Sequence, residues 1–457
     1  MTLLRSLTDQ ARYLSREEAQ ALTRRVLAYA TADATRVVVT CGTRSNTRFA
    51  INQVSTAGDS YNTTVNVQSM IGRRRGSMST NRLDDASLKA AVETAERLAR
   101  LSPEDPEALP ELGPQQYQES LGWSEPTASL EPASRAQAAR QITEAARAAG
   151  LVATGFLEAN ASATALANSN GLFAYGRQTA LALTTTVRTE DGAGSGWAGI
   201  AHHDWSKVQP VSLVRRAIDK AKRSANAEAV EPGRYTVVLE PTAVGNLVQL
   251  ITGAMSARAA DEGRSLFSKQ GGGTKLGMKV VDDRISLWSD PLDPEAPSAT
   301  LTGEGLPVRK TVWIENGVVS NLSYDRYWAQ RQGKEPTPFP GTLRMSGGDQ
   351  SLEELIASTD RGILVTRFWY IRGVDPRTIL YTGLTRDGTF LIERGKVSRA
   401  VKNLRFNESP IFMLNNLLGL GRPERVNASE SLGPGSPIVV PPIKVRDFNF
   451  TSLSDAI

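Results

Sequence analysis

The sequence predicts an α+β protein. An N-terminal α/β region of two helix–antiparallel sheet–helix units is followed by a β-rich, barrel- or sandwich-like C-terminal domain. Three observations predict this. Helical periodicity flanks short alternating runs twice within the first 230 residues. A proline-rich stretch separates the two occurrences. Beyond about residue 231, tight-turn signals and short apolar runs dominate. The expected divisions are 1–101, a linker at 102–133, 134–230 and 231–457.

In chain order, residues 15–31 open on a capping box, Ser15 with Glu18, and carry Ala19, Leu22, Val26 and Ala30 at helical spacing. Strand-like runs follow at 36–41, 48–51, 63–67 and 76–80. Residues 83–101 return to helix, with Leu88, Val92, Ala95 and Leu98 on one face. Between 102 and 133, Pro103, Pro106, Pro110, Pro114, Pro126 and Pro132 break both periodicities, so a linker or long surface segment is expected. The second unit runs from an alanine-rich helix at 134–149 through strands at 151–160, 163–167, 172–175, 180–187 and 197–201 to a helix at 211–222. Asn170-Gly171 supplies a hairpin turn within it. The likeness of the two units is architectural, without a sequence repeat. The C-terminal domain begins with a strand at 235–239 and a helix at 243–255. Strands are expected at 279–281, 285–288, 308–314, 318–323, 363–371, 378–381, 389–393 and 396–401, with one helix at 410–418. Asn316-Gly317, Asp387-Gly388 and Arg394-Gly395 mark turns between them.

Composition narrows the chemistry. The 457 residues include two histidines, His202 and His203, and one cysteine, Cys41. A structural zinc site takes four Cys/His ligands, and only three such side chains exist. No histidine pair is spaced for an H-E-x-x-H helix, a Ser-His-Asp triad would have to use His202 or His203, and one cysteine makes no internal disulfide. The 53 basic and 48 acidic residues leave a net charge of +5, too mild to indicate nucleic-acid binding. No apolar run nears the roughly 20 residues of a membrane helix. The first twenty residues show no signal-peptide core, so a cytoplasmic location is expected.

Several constellations invite a functional reading and mostly favour a plainer one. His202 and His203 sit at a strand end, where alternation would point the two imidazoles to opposite faces. Arg73-Arg74-Arg75 reads as a solvated turn or an acidic-partner contact. Gly271-Gly272-Gly273 with Thr274-Lys275 lacks the phosphate-loop spacing and reads as a flexible loop. Asp290 and Asp293, each before a proline, read as turn residues. Tyr324, Arg326, Tyr327 and Trp328 either line a peptide groove or cap a core.

Five stretches together carry a family resemblance: TVVLEPTAVGNLVQLI (236–251), ARAADEGRSLFS (257–268), KVVDDRISLWSDPLDP (279–294), GEGLPVRKTVWIENGVVSNLSYDRYWA (303–329) and FLIERGKVSRAVKNLRF (390–406). By their order and spacing the chain resembles the TldD/PmbA family, whose older label is modulator of DNA gyrase. The resemblance implies a cytoplasmic zinc metalloprotease of two related subunits that acts on unfolded or leader peptides, as in microcin maturation and antitoxin degradation. The TldD subunit carries an H-E-x-x-x-H helix and a later cysteine that bind zinc; the TldE/PmbA subunit lacks them. Laid over this sequence, H-E-A-V-G-H falls on Pro241-Thr242-Ala243-Val244-Gly245-Asn246, and the cysteine falls on Met278 or close to it. Ala243, Val244 and Gly245 match. Pro241, Thr242 and Asn246 replace the two histidines and the glutamate that would hold zinc and activate its water.

The resemblance therefore implies a non-catalytic TldE/PmbA-like subunit. It would have no catalytic or metal-binding residue of its own, with zinc expected in a TldD-like partner. Its partners would be that homologous subunit and an extended peptide, with no membrane contact. Two other readings stay open: a homodimeric protein that binds peptides without hydrolysis, and a hydrolase with an unrecognised site such as His202, His203 or the Asp290–Asp293 pair.

Overall fold

The computed structural model describes residues 13–339, 341–430 and 433–454. Most of the segment behind the signal-peptide reading, residues 1–12, lies outside the described residues.

The N-terminal region begins with α1 (Arg16–Leu27), β1 (Ala34–Ala50), β2 (Gln53–Ile71), β3 (Arg74–Thr80) and α2 (Asp85–Leu101). After the short α3 (Glu125–Ala128) come α4 (Pro132–Ala148), β4 (Val152–Asn168), β5 (Phe173–Arg188), β6 (Ser195–His202) and α5 (Pro210–Ser224). The predicted capping box at Ser15 and Glu18 is present and starts α1. The two expected units are halves of one antiparallel sheet, ordered β3-β2-β1-β4-β5-β6. The halves meet at β1 and β4, which pair from Arg36 opposite Asn168 to Phe49 opposite Gly155. The short strand expected at 36–41 lies inside β1, as does all but the last residue of that expected at 48–51. The turn after β1 is hard to see in the sequence because Ile51 (φ 52) and Asn52 (φ 56) make it, instead of a glycine. Asn52 holds the turn from its side chain: Nδ2 donates to the Leu151 carbonyl at 2.8 Å, and Oδ1 accepts from the Ala153 N–H at 2.8 Å.

Each half closes with the same contact. On β3, a Cβ at Gly76 would come 2.2 Å from the Ala95 carbonyl oxygen and 2.3 Å from the Ala99 nitrogen of α2. On β6, a Cβ at Gly196 would come 2.2 Å from the Ala217 carbonyl oxygen and 2.5 Å from the Ala221 nitrogen of α5. A bare glycine lets each helix lie directly on its edge strand, and small alanines one turn apart complete the fit. This matched pair marks the internal symmetry more clearly than overall sequence does.

The proline-rich segment is an ordered strap. Arg73 donates to the Asp105 carbonyl at 3.2 Å and also contacts the Pro106 carbonyl; Arg75 pairs with the Asp105 carboxylate at 3.7 Å. The Asn168 and Asn170 side chains donate to the Leu112 and Glu111 carbonyls, both at 2.8 Å. The Tyr117 hydroxyl then reaches the Gly305 carbonyl at 2.7 Å, across to the C-terminal region. The arginine run thus binds backbone and carboxylate of its own chain.

The C-terminal region continues with β7 (Gly233–Leu239), α6 (Pro241–Ala254), α7 (Ala257–Asp261), β8 (Leu287–Ser289), β9 (Thr311–Glu315), β10 (Val318–Val319), α8 (Arg326–Gln332) and β11 (Leu343–Met345). Next are α9 (Leu352–Ala357), β12 (Arg361–Val365), β13 (Phe368–Asp375), β14 (Leu380–Thr385), β15 (Thr389–Glu393), β16 (Lys396–Ala400) and β17 (Leu404–Glu408). The chain ends with α10 (Pro410–Asn415), β18 (Leu417–Leu420), β19 (Glu424–Val426), β20 (Ile438–Val440) and β21 (Ile443–Leu453). Two open sheets form, β10-β9-β8-β11-β20-β19 and β13-β14-β17-β21-β7-β12-β15-β16, with β18 paired to β21. Of the two architectures expected, the closed barrel is absent among the described residues. A shared core joins Val244, Leu247 and Ile251 of α6 to Trp313, Phe368, Phe406 and Phe448. The run 363–371 divides into β12 and β13, and 279–281 contributes only an isolated bridge between Lys279 and Val318. β21 runs through the middle of its sheet yet was not expected. Its register shifts between Val445 and Phe448, and Asp447 has φ 57, so the period-two pattern is interrupted.

Candidate functional site

The start of α6 lies where the resemblance places a metal helix. Pro at the first helical position suits it, since that N–H has no intrahelical partner. The cap residue, Glu240, holds the Lys220 ammonium at 2.6 Å. Pro241 is buried, Thr242 is half-buried, and Asn246 is only 2% exposed. The Asn246 amide is committed on both sides: Nδ2 donates to the Ala428 carbonyl at 2.8 Å, and Oδ1 accepts from the Phe368 N–H at 3.0 Å. Gly245 is needed beside it, because a Cβ there would press at 3.0 Å on both Ala428 and Val426. α6 is therefore stitched between β13 and the chain following β19. Met278 lies on an exposed turn, its side chain 41% exposed, with its carbonyl accepting from the Val319 N–H at 3.0 Å. The structure does not bring it into the buried surroundings of Asn246.

Pro241 offers no donor atom, the Thr242 hydroxyl is neutral, and the Asn246 oxygen already serves a backbone N–H. This set does not fit zinc. Among the described residues no group of three or more His, Cys, Asp and Glu side chains converges. Pro241 and Thr242 face a cleft of about 1070 Å³, whose walls include Arg215, Arg216, Lys220 and Arg223 of α5, Trp197 of β6, and Arg422.

The aromatic cluster comes together, around a core and the strap. Tyr324 and Trp328 are buried in the C-terminal core. Trp328 Nε1 donates to Asp261 at 2.7 Å, and its backbone N–H caps onto Asp325 at 2.7 Å. The Arg258 guanidinium lies 5.3 Å from the Trp328 ring and 6.0 Å from that of Tyr327, while gripping Glu107 of the strap at 2.7 and 2.8 Å. Arg326 donates to the Pro110 carbonyl at 2.6 Å. These side chains fasten the strap to the C-terminal region. Asp290 and Asp293 each accept a backbone N–H two residues on, at 3.0 and 2.9 Å, and Asp293 pairs with Arg344 at 2.6 Å. The glycine triplet 271–273 is a loop with three positive φ angles.

His202 and His203 correct the expectation from strand alternation. Their rings stack with centroids 4.6 Å apart and planes at 24°. β6 ends at His202, so His203 is free of the pleat and folds back. The Asp204 N–H donates to His202 Nδ1 at 2.9 Å, and Arg425 Nη1 lies 3.5 Å from His203 Nδ1. Burial, then the Arg425 charge, then His203 push the His202 pKa down to about 4. Burial and Arg425 lower that of His203 as well. Burial also brings Arg425 down to about 10, still a cation at neutral pH. Arg425 itself was invisible to pattern reading, being a lone arginine on a three-residue strand.

Comparison with known proteins adds a lineage. Residues 125–225 match the model of the PmbA/TldA metallopeptidase central domain, and residues 232–452 match that of the C-terminal domain. A metalloprotease of Methanothermobacter thermautotrophicus is 26% identical over 326 residues, covering 65% of this chain and 68% of that one. The crystal structure of TldE from Thermococcus kodakarensis superposes with a TM-score of 0.83 at 19% identity, covering 96% of this chain and all of that one. A proposed modulator of DNA gyrase from Thermotoga maritima gives 0.82 at 18% identity, covering 94% and 100%.

Proposed function

The chain belongs to the PmbA/TldD metallopeptidase family, and from that membership we propose that it is the non-catalytic, TldE/PmbA-type subunit of a two-subunit zinc metalloprotease. A TldD-like homologue supplies the zinc and the general base. This chain supplies scaffold and peptide-binding surface for extended or unfolded substrates, in the cytoplasm.

One observation carries the reading. The three chemical positions of the metal helix hold Pro241, Thr242 and Asn246, while the frame residues Ala243, Val244 and Gly245 remain. Asn246 is bonded at both ends of its amide, so this helix start serves packing. The adjoining cleft carries Arg215, Arg216 and Arg422 beside the paired Lys220–Glu240 and Arg223–Asp219, a mixed wall with an excess of cations that suits peptides with acidic side chains.

Co-expression with a co-encoded, zinc-bearing homologue tests this. The pair is expected to co-purify, to contain zinc at one equivalent per pair, and to cleave unfolded peptides only when mixed. Full peptidase activity of the isolated chain in excess chelator would overturn the reading.

A further inference from the structure

Between the N-terminal sheet and the C-terminal region lies a second cavity of about 530 Å³. Asn160 and Ser162 of β4, Gln178 of β5 and His202 of β6 face it from the sheet side, joined by His203. Ser298 and Arg425 face it from the other side. Of these residues only Arg425 also borders the cleft at the start of α6.

The donors in this cavity are aligned by hydrogen bonds elsewhere. Because His202 Nδ1 accepts the Asp204 N–H, the neutral ring carries its proton on Nε2. The Arg425 N–H facing His203 Nδ1 sets the same tautomer there. Neither Nε2 has a hydrogen-bond partner among the described residues. Arg425 spends Nε on the Ala201 carbonyl at 2.7 Å and Nη1 on the Glu295 carbonyl and His203, leaving Nη2 without a partner among the described residues. One guanidinium N–H₂ and two imidazole N–H groups are thus donors without a partner among the described residues, enough to hold both oxygens of a single carboxylate. Asp204 is occupied by Ser206 and Ser124, and Asp293 and Glu295 are paired with Arg344. Two further wall atoms lack a partner among the described residues: the buried Asn160 Oδ1 and Ser298 Oγ. Such groups are costly when left bare. Asn160 Oδ1 is an acceptor only, so its missing partner is an N–H or O–H donor, and the last amide N–H of a peptide supplies one.

We propose that this cavity binds the free C-terminal end of a peptide, its α-carboxylate on Arg425, His202 and His203 and its last amide N–H toward Asn160. The volume lies within the range of small-ligand sites and suits the last two residues. The proposal extends the subunit reading by naming a ligand. It rests on that reading only for the origin of the peptide.

The test is calorimetric titration of the isolated full-length chain with N-acetyl-dialanine and with its C-terminal amide. The acid is expected to bind at least tenfold more tightly than the amide. Arg425→Gln should weaken acid binding at least tenfold. Since Arg425 also ties Ala201 to Glu295, that variant is at risk of misfolding. Gln178→Glu is therefore the deciding variant: it is exposed, without a hydrogen bond among the described residues, and places a negative charge at the cavity. It should also weaken the acid at least tenfold with an unchanged melting temperature. Equal binding of acid and amide, no binding of either at millimolar concentration, or binding of inorganic phosphate as tight as that of the acid would each overturn the proposal. None of these outcomes bears on co-purification with a zinc-bearing homologue, so the two ideas fail separately.

Discussion

Asn246, placed by the resemblance at a metal position, is held by two hydrogen bonds of its own amide. Asn246→Leu would strip the Phe368 N–H of its partner, while Gln249 continues to serve the Ala428 carbonyl at 2.8 Å. The expected loss is about 1–3 kcal/mol, the cost of one buried unsatisfied donor, read as a lower urea midpoint with unchanged slope. His202 makes a pH prediction. Its folded pKa of about 4 lies below the ordinary 6.5, so the unfolded chain binds more protons between those values. Stability should be full above about pH 6.5 and fall as pH drops toward 4. His203 acts in the same direction, and the facing charges are Arg425, Asp204 and Lys207. His202→Asn should flatten the melting temperature across that window. A slope unchanged by the substitution would refute the assignment. Cys41 is buried, accepts the Leu14 N–H at 3.0 Å, and has its thiol pKa raised by burial. It should stay unlabelled by a thiol reagent until the chain is unfolded.

At the scale of elements, the paired glycines decide how close helix and strand can come. Gly76→Ala and Gly196→Ala each drive a methyl into helix backbone, which cannot yield as a flexible side chain does. Each should cost about 1–3 kcal/mol or more by overpacking, and the two costs should be similar because the contacts are. Chemical denaturation of both variants checks this. A mild effect at one site and a severe one at the other would argue against equivalence of the halves. Helices α1, α2, α4, α5, α6 and α10 and most N-terminal strands were legible from periodicity, with a cap signal at Ser15 and Glu18, while the short α3, α7, α8 and α9 were not expected. Strand lengths were not, because the polar residues inside β1 and the Ile51-Asn52 turn carry no breaker signal.

At the scale of the molecule, the strap and a buried arginine join the two regions. Arg367 lies 4.2 Å from the Trp197 ring of the N-terminal sheet and 4.8 Å from that of Trp369, and it pairs with Asp387 at 3.4 Å. Asp387 also accepts from Ser195 Oγ at 2.6 Å. Arg367→Met leaves that carboxylate buried without its cation, and a loss of about 3–5 kcal/mol is expected. Thermal unfolding should then separate into two transitions if this contact couples the regions; a single, unshifted transition would show that it does not.

The sequence by itself determined the α+β class, the family, and the presence of Pro241, Thr242 and Asn246 at the start of α6. Those are properties of residue identity and local spacing, which survive without knowledge of neighbours. Only the tertiary structure decided that two units share one sheet, that the proline-rich stretch is a strap, and that His202, His203 and Arg425 meet in one cavity. Their positions are 222 residues apart at the widest contact, between Arg425 and His203. No local period encodes which strand edges pair or which buried charge faces which ring; long-range packing alone sets both.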